Sequence, residues 1–272
     1  MEDNKIIEID KLEFEDESEK EIYKLLINLD DEQRKAVQCS NKNTICKAVA
    51  GSGKTRVLTH RVAYLIRTGV PQRKIMLLTF TNKASREMIE RVEQLLNVEK
   101  LNILGGTFHH VAVILLREFA DKLGYNKNFS IITPDDAQDL IKQLRDDYLK
   151  KNGIPKKDFP TAKVIYHLYS SSINLNSEIE EICNKENRGY SREIIDGIVY
   201  LVKAYNKKKR ESNGMDFDDL LINFNEILKK EDISEIIRKR YEYILVDEYQ
   251  DTNWIQNEII ERLNEGNNNL FV

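Results

Sequence analysis

Ala48-Val49-Ala50-Gly51-Ser52-Gly53-Lys54-Thr55 stands between a short apolar stretch, 44–49, and a segment, 55–67, whose residues Val57, Leu58, Val62, Leu65 and Ile66 recur at helical spacing. Gly69 and Pro71 then stop the helix. Strand, glycine-rich turn and helix form the setting in which GSGKT binds phosphate. Gly51 and Gly53 let the backbone approach phosphate oxygens, successive N–H groups and the helix N-terminus supply positive potential, and Lys54 adds a point charge. Thr55 offers a hydroxyl to Mg2+. The strict G-x-x-x-x-G-K-[ST] pattern asks for glycine at position 48, where alanine stands, so the strand–turn–helix setting carries the reading.

Working outward, 74–79 reads as a second buried strand, 83–96 as an amphipathic helix (Met88, Val92, Leu95, Leu96) and 102–108 as a third strand with a double glycine inside. This alternation predicts a parallel sheet. From 111 it stops, and helices are predicted at 111–123, 134–149, 161–170, 177–184 and 191–208, with only 129–132 extended. Strand patterning returns at 243–246 and 270–272, which makes the helical block an insertion in an α/β domain. Residues 243–248, YILVDE, are an apolar strand ending in two carboxylates. In a parallel sheet that end shares an edge with the phosphate loop, bringing Asp247 near Thr55 as a metal-side acid. Glu248 is then placed to accept a proton from an attacking water. The combination defines a nucleoside-triphosphatase without saying what its energy drives.

With 272 residues, 32% charged and 41% hydrophobic, the chain can bury a core and form two domains. Its longest apolar runs are strand-length, far below the roughly 18 residues of a bilayer crossing. The N-terminus lacks the basic and apolar regions of a secretory signal, so a cytoplasmic location is expected. Cys39, Cys46 and Cys183 are odd in number and lack CxxC spacing, which favours reduced thiols over a disulfide framework or zinc site. Residues 1–27 hold ten acids and four lysines, a balance of -6 within the net -4, leaving +2 elsewhere. That excludes a strongly basic nucleic-acid footprint over the whole domain while allowing local patches. Residues 1–20 read as a solvated, mobile tail.

Six stretches, LDDEQRKAV (29–37), AVAGSGKT (48–55), LLTFTNKASREMIERV (77–92), GTFHHVAVILLREF (106–119), MDFDDLL (215–221) and ILVDEYQDTN (244–253), resemble in order the motifs of the UvrD/Rep/PcrA group of superfamily 1 DNA helicases, over about 29–272. The resemblance implies a RecA-like ATP-binding domain, 29–110 and 215–272, carrying an inserted all-helical domain, 111–214. The acidic segment 1–28 is left uncovered. ATP and Mg2+ are the implied cofactors. Gln33 matches the adenine-recognising glutamine, Ala50, Gly51, Ser52, Gly53, Lys54, Thr55 and Arg56 surround the nucleotide, and Thr55 with Asp247 holds Mg2+. Lys54 and Glu248 are the implied catalytic residues, and Gln250 the residue coupling the two ligand sites. Single-stranded DNA and single–double-strand junctions are the implied partners, with Phe80, Thr81, Asn82, Thr107 and His109 as strand contacts. An aromatic on such a track contributes stacking of roughly 1–3 kcal/mol per base. The implied parent activity is an ATP-driven helicase or translocase of 3′ to 5′ polarity, acting as a monomer.

Read from the residues alone, Phe80 also fits a core position beside a strand end, and His109-His110 also fit polar residues at a helix start. Asp216, Asp218 and Asp219 fit a helix N-terminus better than a second metal site. The basic run 207–210 is either a solvated helix end or a phosphate contact. Three positions depart from the family pattern: Val49 replaces a frequent glycine and requires an ordinary φ, Tyr249 replaces phenylalanine, and His110 replaces serine or glycine. After 270–272 the pattern runs on into a second motor domain, whose arginines stabilise transition-state charge and contribute about 10³–10⁵ in rate in related phosphoryl transfers. Turnover by 1–272 alone is therefore expected to be very slow. A truncated helicase-like regulatory module and part of a helicase–nuclease subunit remain alternative parents, whereas a small-molecule kinase leaves TFTN and TFHH unexplained.

Overall fold

The computed structural model describes residues 14–40, 42–49, 51–186 and 188–272. In chain order its elements are α1 (Glu17–Leu26), α2 (Asp31–Val37), α3 (Lys54–Arg67), β1 (Ile75–Thr79), α4 (Asn82–Leu96), β2 (Leu104–Thr107), α5 (Phe108–Phe119), β3 (Ser130–Ile131), α6 (Pro134–Asn152), α7 (Ala162–Asn174), α8 (Ile179–Lys185), α9 (Arg192–Glu211), β4 (Gly214–Met215), α10 (Phe217–Leu228), α11 (Glu231–Arg240), β5 (Tyr243–Val246), α12 (Trp254–Asn264) and β6 (Leu270–Phe271). They fall into two compact units. One takes the described residues up to Thr107 with Ile236–Tyr249 and Asn264–Val272; the other takes Phe108–Glu235 and Gln250–Leu263.

The first unit is built on a sheet of order β2-β1-β5-β6 in which every pairing is parallel. The mixed α/β expectation, a parallel sheet with many helices, holds. Every residue of β1 is buried, as befits a strand covered on both faces. Ile75, Leu77 and Leu245 share a core with Val57, Leu58, Val62 and Leu65 of α3 and with Met88 and Val92 of α4. Gly105 in β2 has a packing reason, since a Cβ there would lie 2.9 Å from the Ile89 side chain.

Two expectations are corrected in this unit. The stretch 44–49 forms a parallel bridge from Thr44 to Phe271, extended by Cys46 N–H donating to the Val272 carbonyl at 2.6 Å, and not a full buried strand. Val49 is 78% exposed. The backbone turns there, with Ser52 N–H and Oγ both donating to the Val49 carbonyl at 3.2 and 2.7 Å. Residues 17–20, read as part of a mobile tail, begin helix α1, capped by Asp16 through the Glu19 N–H. Leu25 and Leu26 of α1 join the core beneath α3, and Glu21 pairs with Arg67 at 3.1 Å. Burying two leucines contributes about 3–6 kcal/mol in all, enough to order a segment whose charge suggested otherwise. Residues 1–13 of that tail lie outside the described residues.

The second unit is predominantly helical, with a two-stranded parallel pair of β3 and β4. Ala137, Ile141 and Leu149 of α6 meet Ile165, Leu168 and Tyr169 of α7 and Ile198, Leu201 and Tyr205 of α9 in one core. The basic run 207–210 resolves residue by residue. Lys209 is only 1% exposed, with its Nζ 2.5 Å from Asp216, 2.7 Å from Asp219 and 2.8 Å from the Tyr169 hydroxyl. It is thus an internal cation, neither a solvated end nor a phosphate contact. Asp216 is fully buried and caps α10 in a reciprocal capping box with Asp219.

Candidate functional site

The phosphate loop gets its shape from two glycines at positive φ, Gly51 at 81° and Gly53 at 89°, where a side chain would be strained. Val49 is absent from the positive-φ residues, so its β-branched side chain meets the ordinary φ it requires. Gly53 is the N-cap residue of α3 and brings no side-chain cap, so the first-turn N–H donors meet no side chain of their own. That arrangement, with half-buried Lys54 and Thr55 opening α3, fits an anionic polyphosphate. Ala50, expected beside the nucleotide, lies outside the described residues.

Gln33 reaches this loop from α2. Asp30 Oδ1 accepts the Gln33 N–H at 2.8 Å, and Asp30 N–H donates to Gln33 Oε1 at 3.3 Å, a reciprocal capping box that orients the amide. The other end of that amide, Nε2, donates to the Ser52 carbonyl at 3.1 Å. Gly53 is needed here as well, because a Cβ on it would sit 3.0 Å from Gln33 Nε2. Arg56 turns elsewhere, donating from Nη2 to the Asn28 carbonyl at 2.7 Å and so tying the end of the α1 segment to α3.

Asp247 and Glu248 follow β5 directly, at the carboxyl edge of the sheet. Asp247 is buried, and this burial pushes its carboxyl above the usual range; the charge of Glu248 acts in the same sense, while the Glu248 N–H and the Lys54 charge oppose. A carboxylate disfavoured in this way gains from a nearby cation. Glu248 has φ 50°, left-handed for a non-glycine residue, at a cost of about 1 kcal/mol. Gln250 is exposed in a short 3-10 turn, Tyr249–Asp251, and belongs to the second unit. Among the described residues no group of three or more His, Cys, Asp or Glu is arranged to hold a metal. Thr55 and Asp247 are a donor set suited to Mg2+, which keeps much of its water and takes its remaining ligands from one or two carboxylates and substrate phosphates.

Of the other expected contacts, Phe80, Thr81, Asn82 and Thr107 lie at the carboxyl ends of the neighbouring strands β1 and β2. Phe80 is half-buried just past β1; Thr81 and Asn82 are exposed, Thr81 capping α4 by accepting the Ala84 N–H at 3.1 Å. Thr107 ends β2 in register with Thr79. His109, in α5 of the second unit, is half-buried, sits edge-on to Phe217 at 5.6 Å, and has its pKa lowered by burial. The residues missed from sequence are Asp30, whose D-x-x-Q signature was legible, and Thr79, whose hydroxyl no local pattern marks out.

A parallel sheet whose carboxyl edge bears a phosphate loop, a facing glutamine and paired acids defines a P-loop nucleotide-binding α/β protein. The profile of the UvrD/REP helicase N-terminal domain matches residues 29–272, and the chain belongs to that family. It is 37% identical over 250 residues to the ATP-dependent DNA helicase PcrA of Bacillus subtilis, and 37% and 36% identical over 252 residues to proteins of that name from Staphylococcus epidermidis and Staphylococcus aureus. Each match covers 91% of this chain and 33% of the relative, so the chain spans about a third of the length of the curated relatives it matches. No helix among the described residues is long and apolar enough to cross a membrane.

Proposed function

We propose that this chain is the N-terminal ATP- and single-stranded-DNA-binding part of an ATP-driven, Mg2+-dependent DNA helicase or translocase of 3′ to 5′ polarity. In this reading 29–110 and 215–272 form the ATP-binding domain, 111–214 is its helical insertion, and a second motor domain completes the ATP site. The protein acts in the cytoplasm as a monomer, on single strands and on their junctions with duplex. The observation that supports it most is the geometry of the phosphate loop: Gly51 and Gly53 turn it at positive φ, Lys54 and Thr55 open α3, and Gln33 reaches it from α2 to bond to Ser52.

Lys54 and the first-turn N–H groups of α3 bind the phosphates, with Gly51, Ser52 and Gly53 forming the cradle and Ala50 and Arg56 flanking it. Gln33 exchanges its bond to Ser52 for the polar edge of adenine. Thr55 and Asp247 hold Mg2+, which when bound neutralises charge on the phosphoryl oxygens. Glu248 accepts the proton of the attacking water. Gln250 couples nucleotide state to the strand, and Phe80, Thr81, Asn82, Thr107 and His109 contact that strand by stacking and by backbone bonds.

ATP turnover by 1–272, with and without single-stranded DNA, tests the division of labour, with Lys54→Ala and Glu248→Gln alongside. Turnover near zero in every sample is expected, because the arginines of a second lobe are needed. DNA-stimulated turnover abolished by both substitutions contradicts this, because the chain would then complete its own site.

A further inference from the structure

Thr79 is the last residue of β1 and is fully buried. Its Oγ1 donates to the Thr81 carbonyl at 3.1 Å and lies 3.5 Å from the Gly106 carbonyl on β2. One hydroxyl has one proton, so the shorter contact to Thr81 is the hydrogen bond and the Gly106 oxygen stands at the limit of reach. The Thr81 carbonyl also receives the Ser85 N–H at 3.1 Å, the first backbone bond of α4. It is therefore held from two sides, by the helix it opens and by a hydroxyl that solvent does not reach.

The consequence falls on the exposed side of the same peptides. Between Thr79 and Thr81 the chain has only Phe80, so a bond spanning those two residues fixes the turn that presents Phe80, Thr81 and Asn82. Thr79 is also the register partner of Thr107, so this hydroxyl sits between both first-unit segments assigned to the strand. Valine matches threonine in shape and β-branching and would satisfy β1 as a buried strand residue equally well. What it lacks is the donor.

We propose that Thr79 is a positioning residue for single-stranded DNA: it does not touch the strand, and its hydroxyl holds the Phe80–Asn82 turn in the conformation the strand meets. This rests on the DNA-binding reading above and adds a residue to it. The test is fluorescence anisotropy of a labelled oligothymidylate with 1–272 as wild type, Thr79→Val, Thr79→Ser, Thr79→Cys and Phe80→Ala, with binding of a fluorescent ATP analogue and thermal unfolding measured on each. Thr79→Val is expected to weaken oligothymidylate binding about fivefold, the worth of one ordinary hydrogen bond. Its ATP-analogue affinity stays within about twofold of wild type and its salt dependence keeps the same slope, because no phosphate contact is removed. Thr79→Ser restores binding, and Thr79→Cys, with a weak S–H donor, falls between. Thr79→Cys and Thr79→Ser keep the comparison available if valine impairs folding.

Unchanged oligothymidylate binding by Thr79→Val overturns the proposal, as does failure of serine to rescue it. A parallel loss of DNA binding, ATP-analogue binding and melting temperature also overturns it, because Thr79 would then act only through stability. If Phe80→Ala weakens binding while Thr79→Val does not, the positioning role alone falls. If the wild-type chain does not bind the oligonucleotide, or Phe80→Ala binds as wild type, the DNA reading fails first.

Discussion

The Asp247 backbone N–H donates to the Leu78 carbonyl at 2.9 Å, extending the register in which Val246 faces Leu78. Asp247 and the TFTN turn thus leave adjacent parallel strands at the same level. Asp247 and Glu248 continue from β5, and Thr79 and Phe80 from β1. A displacement of the acids on one strand has one backbone hydrogen bond to cross before it reaches the other.

The left-handed backbone of Glu248 is a local cost that glycine removes. Glu248→Gly should be more stable than Glu248→Ala by about 1 kcal/mol, because both lose the carboxylate and only alanine keeps the strained φ. Urea unfolding of the pair measures this. Equal stability, or a more stable alanine variant, would mean that φ 50° carries no cost in this loop.

Gln33→Ala deletes both the bond to Ser52 and one arm of the α2 capping box. Stability should fall by about 1 kcal/mol, and discrimination between ATP and GTP should fade toward equal affinity. Calorimetric titration with both nucleotides reads the ratio. A ratio unchanged from wild type would remove Gln33 from adenine recognition.

Lys209→Met leaves the buried Asp216 and the half-buried Asp219 without their cation. Breaking a buried pair from one side costs about 3–5 kcal/mol, so the variant should show a large drop in its unfolding midpoint, whereas Lys207→Met, on an exposed side chain, should barely change it. Similar midpoints for the two variants would contradict the internal role of Lys209.

Burial raises the Asp219 pKa to about 6, with the charge of Asp216 acting in the same direction and Lys209 opposing. The folded value lies above the unfolded one, so its contribution to stability is fully present below about pH 4 and lost as pH rises through about 6. The stability of wild type relative to Asp219→Asn should therefore decline between those values and level off above them. Chemical denaturation at stepped pH follows it, and a difference that rises with pH over that window would have the wrong sign.

The parts legible in sequence were those whose chemistry lies in consecutive residues. GSGKT opening a helix, and YILVDE closing a strand, are patterns of neighbouring residues, and a parallel sheet brings the ends of its strands to one edge without further information. Elements fixed by distant partners were harder to read. Lys209 looked like its three basic neighbours until Asp216, Asp219 and Tyr169 closed around it. The acids of α1 hid Leu25 and Leu26, whose packing orders that helix. The apolar stretch before the phosphate loop had strand composition, yet the backbone leaves its ladder after Cys46 to make the turn at Val49. Thr79 differs from any other threonine only in the carbonyl its hydroxyl meets.

The most direct test of the nucleotide site is calorimetric titration of the 1–272 chain with ATP and Mg2+, comparing wild type with Lys54→Ala. Loss of the Lys54 charge should weaken binding about tenfold or more, since charge-assisted hydrogen bonds contribute roughly 1.5–3 kcal/mol. Equal affinity in the two proteins would mean that the GSGKT loop does not bind the phosphates, and the proposed ATP site would fall with it.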